Sequence, residues 1–393
     1  MPPLPELERA NPNQRFRERR AQARRRRRLR RTGAAAALLV ATAVVALGAT
    51  VIGTRAHGSS SGEKQASAAK KQRPKPERPR PLPAEVRGVH VTMSLGPKLD
   101  EYLAFPGLNT IELDVKDENG KVGFLMPAST LARRIGASQP YYKAGRSAAK
   151  ARKAGVYLIG RVVVFEDPTL TSERPDLAIR RRDGSVWTND AGLGWANPYD
   201  KRVWDYNIEI AKAAARAGFD EIQFDYARFP SDGPIEEAVF PGQAKEPPGW
   251  TVTRFVHYAS SQLKPLGVRV SVDVFGLSAT HELGIGQKPG RLAKYVDAVY
   301  PMVYPSHYNP GEFNLPDPSA VPGQTVAFSL RDFRNAMLGR KAMLIPWLED
   351  FSLSGGSRPP EEVWAQIRAA RRFHAKGFLL WNPNGVYSEE VLK

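Results

Sequence analysis

Three aspartates stand inside apolar, β-branched runs, where a carboxylate is costly unless it has a partner or a task. They are Asp114 in NTIELDV (109–115), Asp225 in EIQFDYARF (221–229) and Asp273 in VRVSVDVFG (268–276). Side chains alternate faces along a strand. In the first run Ile111, Leu113 and Val115 form one row, which leaves Glu112, Asp114 and Lys116 on the other. Ile222, Phe224 and Tyr226 likewise leave Gln223 and Asp225 together, and Val270, Val272 and Val274 leave Ser271 and Asp273. With the apolar rows packed outward, the three acids converge. Glu166 and Asp167 follow a further run, and Glu349 and Asp350 stand at the end of another. Asp167 and Asp350 read equally well as caps or turn formers, and Asp114 as the ion-pair partner of Lys116 or Arg161.

Converging carboxylates suit one chemistry in particular. The 393 residues contain no Cys, which excludes a thiol nucleophile, a disulfide framework and a Cys-ligated zinc. There is no HxH or HExxH spacing, no phosphate loop and, within 87–393, no GxSxG elbow, so neither metal nor cofactor is expected. Glycoside hydrolysis needs only one carboxylic acid to protonate the leaving oxygen and a second carboxylate as nucleophile or base. Asp225 and Asp273 are the leading pair, with Asp114 orienting them. Candidate substrate contacts are His90 and His307, the aromatic residues Trp195, Tyr304 and Trp381, and Asn382 beside the last. Tyr226 and Arg228 are candidates to hold Asp225, since a nearby Arg favours the ionised carboxylate.

Eight short apolar runs carry these residues: 87–92, 109–115, 156–165, 221–229, 268–276, 297–305, 342–349 and 377–385. Amphipathic helical patterns separate several of them, notably Pro198 to Gly218, residues 250–266 and Pro360 to Lys376. Strands alternating with helices indicate a parallel sheet, and eight such units predict an α/β fold, a (β/α)8 TIM barrel. The rival is an open doubly wound sheet. Helix-to-strand connections are short, whereas 166–198, 230–249 and 305–324 are long. Those long loops leave the C-terminal ends of strands, the face where barrel enzymes work.

The formal net charge of +18 invites a nucleic-acid reading, but its location argues otherwise. Residues 1–32 carry twelve Arg against three Glu, and residues 54–87 carry nine Lys or Arg against three Glu. Residues 88–393 are therefore close to neutral. Residues 33–53 hold no charge, and about 20 apolar residues span a bilayer as a helix. With Arg24–Arg31 before it, the positive-inside rule orients the N-terminus to the cytoplasm. The expected organisation is a basic cytoplasmic tail (1–32), a transmembrane anchor (33–53), a disordered Pro/Lys/Arg/Ser-rich linker (54–86) and an extracytoplasmic barrel (87–393). A cleaved signal peptide is the alternative to a retained single-pass anchor in the cell membrane.

The stretch GWANPYDKRVWDYNIEIAKAAARAGFDEIQFDYARFPSDG (194–233) resembles the putative glycosyl hydrolase domain family, DUF4015. So do RGVHVT, LDVKDENGKV, VVVFEDP, VSVDVFG, VYPMVYPSHY and LWNPNGVY, in that order along 87–393. The resemblance implies a (β/α)8 barrel distantly related to the alpha-amylase class. That class ends strands four, five and seven in a nucleophile, an acid and a third carboxylate, which fall here on Asp225, Asp273 and Glu349. Gln223 stands where amylases carry Arg, and Asp273 where they carry Glu. The expected function is hydrolysis of a cell-wall or surface polysaccharide, with no nucleic-acid partner. A catalytically inactive carbohydrate-binding barrel and a structural envelope barrel are the alternatives.

Overall fold

The computed structural model describes residues 79–242, 246–353 and 356–393. The expected tail and membrane anchor lie outside these residues. Among the described residues no helix is long and apolar enough to cross a membrane. The expected linker is described only from residue 79, and there Arg80 donates to the carbonyls of Val156 and Gly155 and pairs with Asp220.

Nine parallel strands are β1 (Val86–Val91), β2 (Thr110–Lys116), β3 (Tyr157–Val163), β4 (Glu221–Asp225), β5 (Arg269–Phe275), β6 (Ala298–Met302), β7 (Met343–Leu344), β8 (Trp347–Glu349) and β9 (Gly377–Trp381). β5 pairs with β6 and β1 with β9, so the sheet closes into a barrel. The seventh barrel position is split into β7 and β8 at Ile345-Pro346. Proline has no N–H for the ladder, which interrupts the run that reads as one strand in the sequence. The predicted eight positions are otherwise all present, and the open-sheet rival is excluded by closure.

Besides two short helices in loops, Leu131–Arg134 and Pro168–Glu173, the helices of the described residues, numbered by the barrel position each follows, are α1 (Leu99–Leu103), α2 (Ala144–Lys153), α3 (Lys201–Ala217), α4 (Pro248–Leu263), α5 (Pro289–Leu292), α6 (Pro322–Ala336) and α7 (Pro360–Arg372). α5 is a single turn, and β9 is followed only by the 3-10 turn Glu389–Leu392. α3 starts three residues later than its apolar stripe suggests, because Asp200 caps it through Arg202 N at 2.8 Å. Gly218 ends it in a left-handed conformation (φ 103°), so the chain turns within three residues into β4. That conformation suits glycine because it has no Cβ to clash.

Two apolar layers result. The outward rows, including Leu113, Ile222, Phe224, Val270 and Val272, pack against helix residues such as Ile208, Phe255 and Ile367. Phe224 and Phe255 meet at 5.4 Å. Inside the barrel a second cluster holds Tyr157, Ile159, Tyr300, Trp347 and Leu379. Each fully buried side chain of this size stabilises the fold by roughly 1.5–3 kcal/mol relative to an exposed one. The period-2 reading holds in β4 and β5 and fails once in β2. Register runs from Asp114 with Arg161 to Lys116 with Val162, so Val115 is an extra residue in a bulge. The bulge re-aims Lys116. It was expected to face the barrel; instead its Nζ reaches Asn207 of α3 at 3.0 Å and Asp167 at 2.7 Å.

Candidate active site at the C-terminal mouth of the barrel

Asp225 ends β4 and Asp273 lies two residues before the end of β5. The adjacent pair Phe224 and Val272 is in register, which makes Asp225 and Asp273 cross-strand neighbours on the inner face. Both are nearly enclosed, at 6 % and 1 % exposure, but their partners differ in kind. Arg161 of β3 donates Nε (3.0 Å) and Nη2 (2.6 Å) to Oδ2 of Asp225. Oδ1 of Asp225 accepts the backbone N–H of Tyr226 at 2.7 Å. Tyr226 has a left-handed φ of 54°, uncommon for an aromatic residue. The chain therefore leaves β4 through a sharp corner immediately after the acid.

Asp273 meets only neutral donors in this network. Its Oδ1 accepts from Gln223 Nε2 and from the Trp347 indole N–H, the latter at 2.7 Å. Burial pushes its carboxyl well above the usual carboxylate range, and the neighbouring Asp225 and Glu112 push it further. Two adjacent acids thus have contrasting surroundings, one with a guanidinium and one without.

β2 adds a second pair of acids. Asp114 accepts from Arg161 Nη1 at 2.7 Å, so one guanidinium bridges Asp114 and Asp225. Burial outweighs Arg161 and Lys116 is absent from this pair, so Asp114 is still raised, with His90 and Arg161 opposing. Glu112 contacts His90 Nδ1, and His90 Nε2 lies 3.7 Å from Asp114. Burial raises Glu112 well above its ordinary range, with Arg161 opposing. The acids around Arg161 outweigh its own burial and hold its charge firmly. Trp381 forms one wall, its ring 4.3 Å from the His90 ring and 5.5 Å below the Arg161 guanidinium. It is partly exposed.

Other predicted residues have different neighbours. Trp195 is fully buried, with Arg228 over its ring at 5.1 Å and Tyr226 at 6.0 Å. It packs the scaffold rather than offering a sugar-facing surface. Arg228 is also buried, stacked 4.5 Å from Phe275 and donating to Phe229 O and Ser231 Oγ. The arginine on Asp225 is Arg161. Asn382, fully buried, donates to Asp350 O and accepts from Asn384 N, which shapes the turn after β9. Tyr304 and His307 stack edge to face at 5.2 Å beside Phe351, and the Tyr304 hydroxyl borders the acid network: burial pushes it well above its usual range and Asp273, Asp225 and Glu112 push it further. Glu349 spends both oxygens on Arg358 Nε and Ser306 N, each at 2.9 Å, and so ties two loops together. Asp167 caps a short helix at Leu170 N and pairs with Lys116, while Asp350 binds Ser388.

The sequence reading gave no site role to Glu112, Gln223, Trp347 or the Arg161–Asp225 bridge. The available signal was alternation. Arg161 shares the inward row with Tyr157 and Ile159, and Trp347 sits two residues before Glu349. Among the described residues no group of three or more His, Asp or Glu is arranged to hold a metal ion.

A model of the putative glycosyl hydrolase domain family matches residues 91–387. A hypothetical protein from Ruminiclostridium thermocellum ATCC 27405 is 36 % identical over 47 % of this chain and 97 % of its own, with a TM-score of 0.43. The PgaB (BpsB) glycoside hydrolase domain from Bordetella bronchiseptica superposes over 79 % of this chain and 99 % of its own, at 14 % identity and a TM-score of 0.56. The endo-beta-1,4-mannanase from Thermotoga petrophila covers 77 % and 71 %, at 13 % identity and 0.50. A comparison with curated proteins gave no match.

Proposed function

The chain belongs to the putative glycosyl hydrolase domain family, and from that premise we propose that it hydrolyses an O-glycosidic bond in a cell-wall or surface polysaccharide. The carrying observation is the contrast between the two neighbouring acids. Arg161 supplies a counter-charge to Asp225, whereas Asp273 is surrounded by neutral donors and its carboxyl is raised. Acids whose surroundings differ in this way divide into a charged partner and a proton donor.

In this reading Asp273 gives its proton to the leaving oxygen as the bond to the anomeric carbon breaks. Asp225 stabilises the developing positive charge there, as nucleophile or as the base for water. Asp114 and Arg161 fix the orientation of Asp225, and Trp381 offers the partly exposed ring on which a sugar stacks. Glu349, with both oxygens engaged, is assigned to loop positioning. Neighbouring folds that are named for polysaccharide activity, such as the mannanase, support this substrate class by analogy. We extend the proposal to placement: residues 33–53 hold the protein at the cell membrane, with the barrel outside.

The test is release of reducing ends from purified wall polysaccharides by the wild type and by Asp225→Asn. Loss in the variant supports the assignment; equal release removes Asp225 from the mechanism. A second reading, sugar binding without turnover, is favoured by the near-complete enclosure of Asp273 at 1 % exposure. Binding with no release by the wild type would select it.

A further inference from the structure

A cavity of about 610 Å3 opens at the other end of the barrel, where the strands begin. It lies between the C-terminal ends of α6 and α7 and the start of β1. Arg334, Arg340, Arg371 and Lys376 line it against a single acid, Glu85. Glu85 is taken by Arg371 at 2.7 Å. The other three cations bond only to backbone carbonyls: Arg334 to Phe373 O (2.8 Å), Arg340 to Gly290 O (2.9 Å) and Lys376 to Ala84 O (2.7 Å). Among the described residues none of the three meets a carboxylate.

A simpler account covers part of this. Bases in the last turn of a helix complement its dipole, which explains Arg334 and Arg371. It does not explain Arg340 and Lys376, which lie beyond the helix ends, nor the cavity. His374, also in the lining, holds a left-handed φ of 52° where a glycine usually ends a helix. Met337, Met343 and Leu344 add apolar lining, and Leu338, also in the lining, is 83 % exposed. Ala84 and Glu85, just before β1, are also part of the lining. An exposed leucine beside unneutralised cations fits an amphiphile better than a simple anion.

We infer that this cavity is a binding site for an anionic phospholipid. The phosphate is held by Arg334, Arg340 and Lys376, and the glycerol and first methylenes lie on Met337, Leu338 and Met343. The volume is within the range that small ligands occupy. The inference does not depend on turnover at the mouth.

The test uses the full chain in a nonionic detergent with dihexanoylphosphatidylglycerol as probe. A ligand that binds only the folded state raises the unfolding midpoint. Saturating probe should raise the barrel's midpoint by about 3–6 °C, and dihexanoylphosphatidylcholine should raise it far less. Arg340→Gln/Lys376→Gln, which retains the whole basic tail, should lose the shift. Leu338→Ser, at an exposed position that should not affect folding, should reduce it. An equal shift in the double variant would place binding on the tail and overturn the proposal. So would no shift in the wild type, or the same shift with inorganic phosphate, which would leave the apolar wall without a role.

Discussion

Arg161 gives two nitrogens to one oxygen of Asp225 and its third to Asp114, so the geometry of both acids depends on a single side chain. Arg161→Gln should lower kcat/KM by about 10²–10³, the range for losing one preorganised electrostatic group. It should also destabilise the barrel by about 3–5 kcal/mol, since it leaves buried charge unpaired. Arg161→Lys keeps the charge and loses the fork, so it should fall between. Reducing-end assays and urea unfolding measure the two effects separately. An Arg161→Gln variant with full activity would show that Asp225 does not depend on the bridge.

The proton-donor role of Asp273 is tested by changing the leaving group. Asp273→Asn should lose about 10²–10⁴ on a polysaccharide, whose alkoxide must be protonated as it departs. On a dinitrophenyl glycoside, whose leaving oxygen needs no proton, the loss should be under about tenfold. Asp225→Asn should fail on both. Equal losses for Asp273→Asn on the two substrates would remove its acid role.

Asp350 gives a pH signature separate from the Asp225–Asp273 network. Burial raises its carboxyl from 3.8 to about 6, against hydrogen bonds from Ser388. The folded state therefore holds this proton more tightly than the unfolded chain. Its contribution is fully present below pH 3.8 and is lost as pH rises through about 6. With about 1.4 kcal/mol per unit, the loss totals roughly 3 kcal/mol. Stability curves of wild type and Asp350→Asn should diverge across that window and run parallel above it. A constant difference throughout would contradict the raised value.

The Lys116–Asp167 pair is buried on both sides at 2.7 Å. Lys116→Met should cost about 3–5 kcal/mol because it strands Asp167. Lys116→Met/Asp167→Leu should recover most of that in denaturant unfolding. If the double variant is as unstable as the single, the wider hydrogen bonds of Lys116 with Val163 O and Asn207 carry the stability instead.

The strands are legible in the sequence because their outer rows are nearly pure Val, Ile, Leu and Phe, and the helices they pack against end in glycines such as Gly218. For the same reason Asp225 and Asp273 are readable as inward-facing acids. What eludes the sequence depends on neighbours far along the chain. One extra residue at Val115 moves Lys116 from the barrel to its outer layer, and alternation gives no warning of a bulge. The arginine expected near Asp225 by proximity in sequence, Arg228, is stacked among aromatic rings. The arginine that binds it lies 64 positions earlier, on the adjacent strand. Trp195 looks like a sugar platform by type and loop position, but its ring is consumed in supporting the corner at Tyr226.

β1 and β9 meet at the seam of the barrel, and the last residue returns beside the first strand, with Lys393 O accepting from Arg87 Nη1 at 3.2 Å. Residue 79 starts at that same end, where Arg80 bonds to Gly155 and Val156 before β3 and to Asp220 before β4. Both ends of the described chain are therefore at the pole opposite Asp225 and Asp273. A tether at either end leaves the acids facing outward, and the two can be exchanged without turning the barrel over. Immobilising the barrel through residue 79 or residue 393 should thus present its mouth to a large, insoluble polymer that cannot diffuse to it.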